Sequence, residues 1–294
     1  MTLAVPPSPD ALVADLTTLL DVTPVGEDAF EGRRKKGGLG RVFGGQVIAQ
    51  ALVSAERTVA DDRPPHSLHA YFLRGGSEDH PIAFHVDRQF DGGSFSNRRV
   101  VASQQGRPIF NLAASFHKRE TGMAHQEPMP EVPEPESLDN VPALLARFAG
   151  ELPDGVRQRH DRPSPIELRP VEPRHLLSLA TGEPRSHAWF RTAGPLGDDP
   201  GLHRAVLAYA SDMMLLGTCL RPHLVGWDSR HLTVASLDHA LWFHDDFRAD
   251  EWLLYATDSP WAGRARGLNR GRIYTRDGRL VADVAQEGLT RQIA

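Results

Sequence analysis

The chain has 294 residues, of which 40% are hydrophobic and 24% are charged, a composition typical of a globular protein with one large domain or two medium-sized ones. A formal net charge of −5 gives no electrostatic reason to expect nucleic-acid binding, and the single cysteine, Cys219, excludes an intramolecular disulfide and a cysteine-based zinc site. The N-terminus lacks signal-peptide features and no apolar run approaches the roughly 18 residues of a membrane span, which favours a cytoplasmic protein without stable membrane insertion.

The first part of the chain predicts two helices followed by antiparallel strands. Ser8, Pro9 and Asp10 are typical of a helix start, and a glycine-led helix is predicted in the segment FGGQVIAQALVSAERTV, which begins at Phe43. Alternating apolar and polar residues then predict strands in PIAFHVDRQF, SNRRVVASQQ and RPIFNLAASFHK, separated by glycine-containing turns. One long helix followed by such strands is typical of an α+β unit in which the sheet packs around the helix.

A segment rich in proline and glutamate, EPMPEVPEPE, occupies Glu127–Glu136. Four of its ten residues are prolines, which lack the backbone donors that a helix or strand ladder needs, so the segment predicts a linker. A short helix is expected further on, in PALLARFAGEL. These boundaries predict an N-terminal unit at residues 1–120, a linker at 121–173 and a C-terminal unit at 174–294.

The order of elements in the first unit returns after the linker. A helix is predicted in GLHRAVLAYASDMMLLG, and strands follow it, with Asp277 and Gly278 marking a hairpin between the last two. SLHAYF aligns with SLDHALWF, which places His69 against His239, and QGRPIFNLAASF aligns with DGRLVADVAQEG, which places Gly106 against Gly278. The weak sequence repeat and the repeated order of elements predict one duplicated fold with a pseudo-twofold axis.

Two polar residues on predicted apolar faces are candidates for function. Asp212 lies in the apolar helical segment LAYASDMMLLG, where none of the residues three or four positions away carries an opposite charge. Burial of a carboxylate there costs free energy unless a distant group pairs with it. Gln286 shares a strand face with Leu280, Ala282 and Val284, and its amide needs hydrogen-bond partners if that face is buried. Structural pairing and a functional role fit both residues equally well.

The segment HLTVASLDHALWFH offers further polar candidates on a predicted strand. Ser236 shares the face of Leu232 and Val234, although a lone strand serine is more often structural, and the next residue on that face is Asp238. Asp238 and His239 are adjacent and are therefore expected on opposite faces. Motifs for a serine nucleophile, a nucleotide-binding loop and a zinc-binding helix are absent, so neither a metal nor a cofactor is expected.

Four blocks of sequence, in chain order, resemble the acyl-CoA thioesterase II family, the TesB-like group of double-hotdog enzymes: FGGQVIAQAL, LAYASDMMLL, VASLDHALWFH and ADVAQEGLTR. The resemblance runs from about Gly26 to Gln292 and is weakest in the linker. It implies an α+β double hotdog, in which two antiparallel sheets each wrap around a long helix and the Pro/Glu-rich linker joins the units. It also implies an acyl-CoA substrate, hydrolysis to free fatty acid and coenzyme A without a metal or covalent intermediate, and a homo-oligomer.

The resemblance further implies a catalytic trio. Asp212 matches the family's helix aspartate and Gln286 matches its glutamine, while Ser236 occupies the position of its threonine. Serine keeps the hydroxyl but loses the methyl group that restricts the rotamer. The three side chains are expected to bind one water beside the thioester carbonyl, with Asp212 as the general base. Ala114 occupies the glutamine position of the first half, which implies one active site for each pair of hotdog units.

Three further residues are expected to contact the substrate. Gly44 and Gly45, at the head of the first-half helix, allow close approach of the backbone to a ligand, and Met213 is expected to line an apolar tunnel for the acyl chain. Two other functions fit the same sequence: a hotdog enoyl-CoA hydratase or dehydratase with an aspartate–histidine pair, and an acyl-CoA-binding protein without catalytic activity.

Overall fold

The computed structural model describes residues 7–35, 40–152, 162–177, 180–223 and 232–293. Residues 153–161 of the predicted linker lie outside the described residues. Among the described residues, no helix is long and apolar enough to cross a membrane. The first half consists of α1 (Pro9–Leu20), β1 (Val22–Gly26), β2 (Ala29–Gly32), α2 (Gly44–Glu56), β3 (Pro65–Phe72), β4 (Ile82–Asp91), β5 (Phe95–Gln104) and β6 (Arg107–His117).

The connecting segment contains a 3-10 turn, η1 (Pro135–Ser137), and α3 (Val141–Arg147). The second half consists of β7 (Ile166–Pro170), α4 (Pro173–Leu176), β8 (Arg185–Thr192), α5 (Pro200–Ser211), the 3-10 helix η2 (Leu215–His223), β9 (Leu232–Ser236), β10 (Asp238–Phe243), β11 (Leu253–Gly263), β12 (Arg266–Thr275) and β13 (Leu280–Gln292). The predicted glycine-led helix and the three strands after it are confirmed by α2 and β4 to β6.

The central helices α2 and α5 pack against each other in the interior of the molecule. Asp199 caps α5, since its side chain accepts a hydrogen bond from the Gly201 amide at 2.9 Å, and Pro200 occupies the first turn. The side chains of Ile48 on α2 and Val206 on α5 are fully buried in one continuous core. The two helices therefore share a single apolar interior.

All thirteen strands in the described part of the chain belong to one antiparallel sheet. Its order is β1-β2-β4-β5-β6-β3-β10-β13-β12-β11-β8-β7, and β9 pairs with β13 beside this path. The double-hotdog fold is confirmed, but its two half-sheets are joined edge to edge, because β3 pairs with β10. This pairing satisfies backbone groups that two separate sheets would leave at exposed edges.

The hairpin turns before β6 and β13 have matching conformations. Gly106 and Gly278 both have a positive φ, of 72° and 88°, in the left-handed region that favours glycine. The predicted Asp277-Gly278 hairpin is confirmed, since the Gly278 amide donates to the Thr275 carbonyl at 2.9 Å between the paired strands β12 and β13. The predicted duplication thus has a counterpart in backbone geometry.

The strand register corrects one detail of the predicted repeat. Ala113, the counterpart of Ala285 in the aligned hairpins, lies opposite His69, whereas Ala285 lies opposite Ala240. His69 therefore corresponds to Ala240, and the prediction that it corresponds to His239 is wrong by one residue. His69 is exposed on the outer face of the sheet and His239 is buried on the inner face, because a shift of one residue reverses the face.

The Pro/Glu-rich segment packs along the second half of the molecule. The Trp189 indole donates to the Pro133 carbonyl at 2.9 Å, and Arg276 forms ion pairs with Glu134 and Glu136 at 2.8 and 2.9 Å. The predicted linker boundary at residue 173 differs from the structure, since Ile166–Pro170 already pairs with β8 as the edge strand of the second half-sheet. An edge strand this short carries too little alternation for its partner to be recognised from sequence.

Candidate active site

Asp212 lies at the C-terminal end of α5, where the sequence predicts the interior of a longer helix. The α-helix ends at Ser211, Asp212 is its C-cap residue, and η2 begins at Leu215, so the prediction of a continuous helix to Gly217 is wrong. The last turn of a helix leaves backbone groups without helical partners. An aspartate at this position can direct its side chain toward other elements, and the carboxylate faces the N-terminal end of α2.

Donors from three elements converge on the Asp212 carboxylate. Oδ1 accepts hydrogen bonds from Gln286 Nε2 at 2.6 Å and from Ser236 Oγ at 3.4 Å, while Oδ2 accepts from the backbone N–H of Gly45 at 2.9 Å. Among the described residues, each of these donors is uncharged. The structure thus brings together the three side chains that the sequence singles out, and adds a backbone amide to them.

Gly44 and Gly45 give the Asp212 side chain room to reach the head of α2. A Cβ at Gly44 would lie 2.6 Å from Asp212 Oδ2, and a Cβ at Gly45 would lie 2.3 Å from the Tyr209 carbonyl oxygen. Both distances are shorter than atomic contact allows, so the two glycines are needed for the close approach of α2 to α5. The Gly45 amide donates a hydrogen bond to Asp212, so the two glycines lie beside the carboxylate. Their contact with substrate stays a prediction.

Burial raises the pKa of Asp212 to about 6, against the opposing hydrogen bonds from Gln286, Gly45 and Ser236. The residue is nevertheless only half-buried and keeps some access to solvent. Burial also raises the pKa of the neighbouring Tyr209 phenol to about 12. At neutral pH the carboxylate is therefore ionised and more basic than an ordinary aspartate, which suits a general base.

A β-bulge between β9 and β10 sets which side chains face the carboxylate. Ser236 lies opposite Gly288, and Ala240 lies opposite Ala285. The segment from β9 to β10 therefore contains one residue more than the part of β13 that it faces. The prediction that Asp238 shares the inner face with Ser236 is therefore wrong. Asp238 instead accepts a hydrogen bond from the Glu287 amide at 2.6 Å and holds the bulge in place.

The bulge places His239 on the inner face, directly behind the candidate site. His239 is fully buried, with Nδ1 3.3 Å from Gln286 Nε2 and Nε2 2.9 Å from Ser211 Oγ. Burial lowers its pKa to about 3, so the imidazole is neutral. The contact between His239 and Gln286 was not predicted from the sequence. His239 alternates with Leu241 and Phe243, and this apolar strand face is the signal that indicates its burial.

Gln286 is fully buried on β13, and its amide is only partly satisfied. Its Nε2 donates to Asp212, whereas its Oε1 is buried without a hydrogen-bond partner in the described part of the molecule. A buried amide oxygen without a partner costs about 1–3 kcal/mol. A water or substrate donor is therefore expected beside Gln286 Oε1.

Met213 follows Asp212 directly and is 37% exposed, so its predicted place along an acyl tunnel stays a prediction. A separate cavity of about 870 Å³ is lined by residues such as Arg191, Arg248 and Trp252, and none of its lining residues belongs to the candidate site. Among the described residues, no group of three histidine, cysteine, aspartate or glutamate side chains is arranged to hold a metal ion.

The first half contains a counterpart of the candidate site that lacks its polar side chains. Pro65 lies opposite Phe116 in the position that Ser236 takes opposite Gly288, since the same bulge interrupts β3. Ala114 occupies the position of the glutamine and is buried. At these two described positions the counterpart therefore offers neither a hydroxyl nor an amide to hold a water.

The carboxylate of the first-half counterpart is engaged by an arginine. When α2 and α5 are aligned from their first residues, Gly44 and Pro200, the offset of 200 − 44 = 156 places Glu56 in the position of Asp212. The Glu56 carboxylate accepts a hydrogen bond from Arg204 Nε at 3.0 Å. Burial raises the pKa of Glu56 to about 7, against the opposing effect of the Arg204 guanidinium. The two carboxylates therefore differ in their partners, a cation beside Glu56 and uncharged donors around Asp212. The molecule thus has two pseudo-symmetric positions with different side chains.

Comparisons with known proteins agree along most of the chain. Residues 162–289 match the family model described as acyl-CoA thioesterase, and residues 33–117 match the one described as acyl-CoA thioesterase N-terminal domain. Human acyl-coenzyme A thioesterase 8 is 42% identical over 284 residues, which are 94% of this chain and 88% of the relative. Acyl-CoA thioesterase 2 of Haemophilus influenzae is 35% identical over 280 residues, which are 95% of this chain and 98% of the relative.

A solved structure agrees as well. The crystal structure of an acyl-CoA thioesterase II from Mycobacterium marinum superimposes with a TM-score of 0.79 at 44% sequence identity. The superposition covers 95% of this chain and 99% of that chain. Both halves and the segment between them therefore have counterparts in one known protein.

Proposed function

We infer that this chain, which belongs to the acyl-CoA thioesterase family, carries out its reaction where Asp212, Ser236 and Gln286 meet. The enzyme hydrolyses acyl-CoA to free fatty acid and coenzyme A. The observation that supports this location is the half-buried carboxylate of raised pKa, which is held by uncharged donors. It lies beside an amide oxygen that has no hydrogen-bond partner among the residues that the structure describes. Such a group is equipped to take a proton from water near neutral pH.

In the proposed mechanism, Asp212 accepts a proton from a water as the water oxygen forms a bond to the thioester carbonyl carbon. The Ser236 hydroxyl and the Gln286 Oε1 hold the water in line for attack, which is an effect of positioning. The C–S bond then breaks and the electron pair leaves with the coenzyme A sulfur. The proton on Asp212 passes to this sulfur, which gives the free thiol and restores the carboxylate. No covalent intermediate with the protein is required.

The hydratase alternative finds little support in the geometry of the aspartate–histidine pair. Asp238 points to the Glu287 amide and His239 is buried behind Gln286 with both ring nitrogens engaged. The two side chains therefore face different partners. Neither ring nitrogen of His239 is free to exchange a proton with a substrate.

The pH dependence of turnover tests the assignment of Asp212. Because the pKa of Asp212 is raised to about 6, kcat/KM for palmitoyl-CoA hydrolysis is expected to be constant above pH 7. It should fall about tenfold for each pH unit below 6, as the base becomes protonated. The rate of free-thiol release from pH 4.5 to 9 measures this. His239, with a pKa near 3, does not contribute to this limb.

A midpoint near pH 4, as for an ordinary aspartate, would contradict the assignment of Asp212 as base. Crotonyl-CoA serves as the comparison substrate for the alternative functions. Loss of its enoyl absorbance without thiol release would support the hydratase. No thiol release and no change in enoyl absorbance with either substrate would support a binding protein.

Ser236 offers a second test, since threonine occupies this position in the family that the sequence resembles. Ser236→Thr is expected to keep or raise kcat up to about threefold, because the added methyl restricts the rotamer of the same hydroxyl. Ser236→Ala is expected to lower kcat about tenfold with little change in KM. Steady-state kinetics with palmitoyl-CoA measure both. Ser115→Ala, which removes a hydroxyl 2.8 Å from His66 outside the site, is the matched control. Wild-type kcat in Ser236→Ala would exclude this role.

We also propose a cytoplasmic location and assembly into a homo-oligomer. The outer face of the joined sheet supports the second proposal, since Tyr71 is 59% exposed on β3 and His69 contacts the Trp242 ring on β10 at 5.1 Å between ring centroids. Exposed aromatic surface of this kind is typical of protein–protein contacts.

A further inference from the structure

A chain of hydrogen bonds behind the candidate site fixes the tautomer of His239. Ser211 Oγ lies 2.9 Å from the Ala208 carbonyl oxygen and 2.9 Å from His239 Nε2. A hydroxyl has only one hydrogen to donate. Gln286 decides which partner receives it, because its Nε2 donates to Asp212 and can only donate to His239 Nδ1. Nδ1 is therefore the acceptor, Nε2 carries the ring hydrogen and donates it to Ser211, and the hydroxyl hydrogen goes to the Ala208 carbonyl.

The acceptor at His239 Nδ1 in turn binds the second hydrogen of the Gln286 amide, which Asp212 already orients through the first. Gln286 Nε2 has two hydrogens, and its two neighbours are Asp212 Oδ1 at 2.6 Å and His239 Nδ1 at 3.3 Å, both of which accept. If the amide were flipped, its oxygen would face the Asp212 carboxylate and, with His239 protonated on Nε2, the lone pair of Nδ1. The flipped state has two repulsive contacts in place of two hydrogen bonds, so the geometry selects one orientation.

We propose that His239 is a positioning residue of the thioesterase site, which acts through Gln286. The neutral imidazole, held by Ser211, keeps the amide nitrogen on Asp212 and the amide oxygen free for the water. His239 touches neither substrate nor water, since it is fully buried behind the amide. The proposal rests on the proposed site at Asp212, Ser236 and Gln286, and adds a residue that controls its geometry.

The pKa of Asp212 reports on this arrangement. Gln286 is one of the groups that lower this pKa against the effect of burial. In the described part of the chain, the groups that face the carboxylate are Gly45 on α2, Ser236 on β9, Gln286 on β13, the Tyr209 phenol on α5 and the Tyr255 phenol on β11. If the amide loses its orientation, its hydrogen bond weakens and the acid limb of the pH profile moves to higher pH.

Two replacements of His239 separate positioning from packing. In His239→Asn the side-chain amide occupies the place of Nδ1 and still offers an acceptor to Gln286. In His239→Gln the amide reaches the place of Nε2, keeps a donor for Ser211 and leaves Gln286 without its acceptor. We expect kcat for palmitoyl-CoA to stay within about threefold of wild type in His239→Asn and to fall about tenfold or more in His239→Gln, as for loss of one positioned hydrogen bond.

The pH profile and a double variant complete the experiment. In His239→Gln, KM should stay within about threefold and the acid limb should move up by about half a pH unit or more. In a Gln286→Ala background, His239→Gln should cause no further loss of kcat, because both changes remove the same function. Thermal unfolding confirms that each variant folds. If His239→Gln does not fold, Ser211→Ala is used, which frees the imidazole and should lower kcat about threefold or more.

Wild-type kcat in His239→Gln would overturn the proposal. So would a loss of kcat on His239→Gln that is equally large in the wild-type and Gln286→Ala backgrounds. Equal losses in His239→Asn and His239→Gln would indicate a packing role and overturn it too. If Gln286→Ala itself turns over at the wild-type rate, the proposed site fails together with this inference. If Gln286→Ala is impaired and His239→Gln is not, only the inference fails.

Discussion

Asp212→Asn is expected to lower kcat for acyl-CoA hydrolysis by about 10²- to 10⁴-fold, the range for loss of a general base, and to leave KM within about threefold. Asparagine has nearly the same shape, and its amide oxygen can still accept from the Gly45 amide. It cannot take a proton from water. Steady-state kinetics with palmitoyl-CoA at pH 7.5 measure the change, and near-normal turnover would show that another group is the base.

The same substitution is expected to stabilise the folded protein. Since the pKa of Asp212 rises from 3.8 to about 6 on folding, the folded state binds the proton more tightly than the unfolded state does. The charged carboxylate therefore destabilises the fold progressively as the pH rises from about 4 to about 6, and fully above that. At about 1.4 kcal/mol per pKa unit, this effect is at most about 3 kcal/mol.

Asp212→Asn should raise the free energy of unfolding at pH 7 by about 1–2 kcal/mol. This is less than the full destabilisation by the charged carboxylate, because the new amide must also find hydrogen-bond partners. Urea unfolding at pH 7 and pH 4 measures the gain, which should disappear at the lower pH. Asp28→Asn is the matched control, since the Arg88 guanidinium lowers the pKa of Asp28. This variant should keep its activity and lose stability at pH 7. A less active but more stable enzyme is typical of substitutions at functional sites.

Gln286→Ala is expected to lower kcat about 10²-fold, because it removes both the hydrogen bond to Asp212 and the acceptor proposed for the water. It should also raise the pKa of Asp212 above 6, since that hydrogen bond opposes the effect of burial. The acid limb of the kcat/KM profile then moves to higher pH. Kinetics between pH 5 and 9 measure both effects in one series.

Gln286→Glu distinguishes a positioning amide from a merely polar group at this position. A second carboxyl at 2.6 Å from Asp212 Oδ1 cannot ionise together with it, so the pair should share one proton and lose the base at neutral pH. Gln104→Ala is the control, since Gln104 makes hydrogen bonds to Ser77 and His80 in a loop outside the site. It should lower stability with unchanged kcat. Wild-type turnover in Gln286→Ala would remove glutamine from the proposed mechanism.

Local sequence patterns predicted the parts of this fold that depend on neighbouring residues. The glycine-led helix from Phe43 and the Asp277-Gly278 hairpin follow from local spacing and turn chemistry, and both are confirmed. Period-two alternation also placed Gln286 on a buried face. In each case the information lies within a few residues of the element.

The wrong predictions concern features that depend on contacts with residues distant in sequence. The bulge at Leu237 and Asp238 forms against Glu287. Because of it, His239 and not the predicted Asp238 lies on the inner face of the sheet. The end of α5 at Ser211 brings Asp212 to a different helix, which periodicity within one helix does not reveal. The joining of β3 to β10 depends on how the two halves associate. The sequence therefore identified the residues of the candidate site but not the backbone features that bring them together.

The side chains at the two pseudo-symmetric positions can differ because both halves belong to one chain. An assembly of identical single-hotdog subunits has to carry the same side chains at every symmetry-related position, because one coding sequence specifies them all. Within a single chain this constraint is lifted, and each position can change alone. Arg204 can donate a hydrogen bond to Glu56 without any matching change beside Asp212. With the reaction at the site proposed around Asp212, the matching position in the first half can be selected for packing alone.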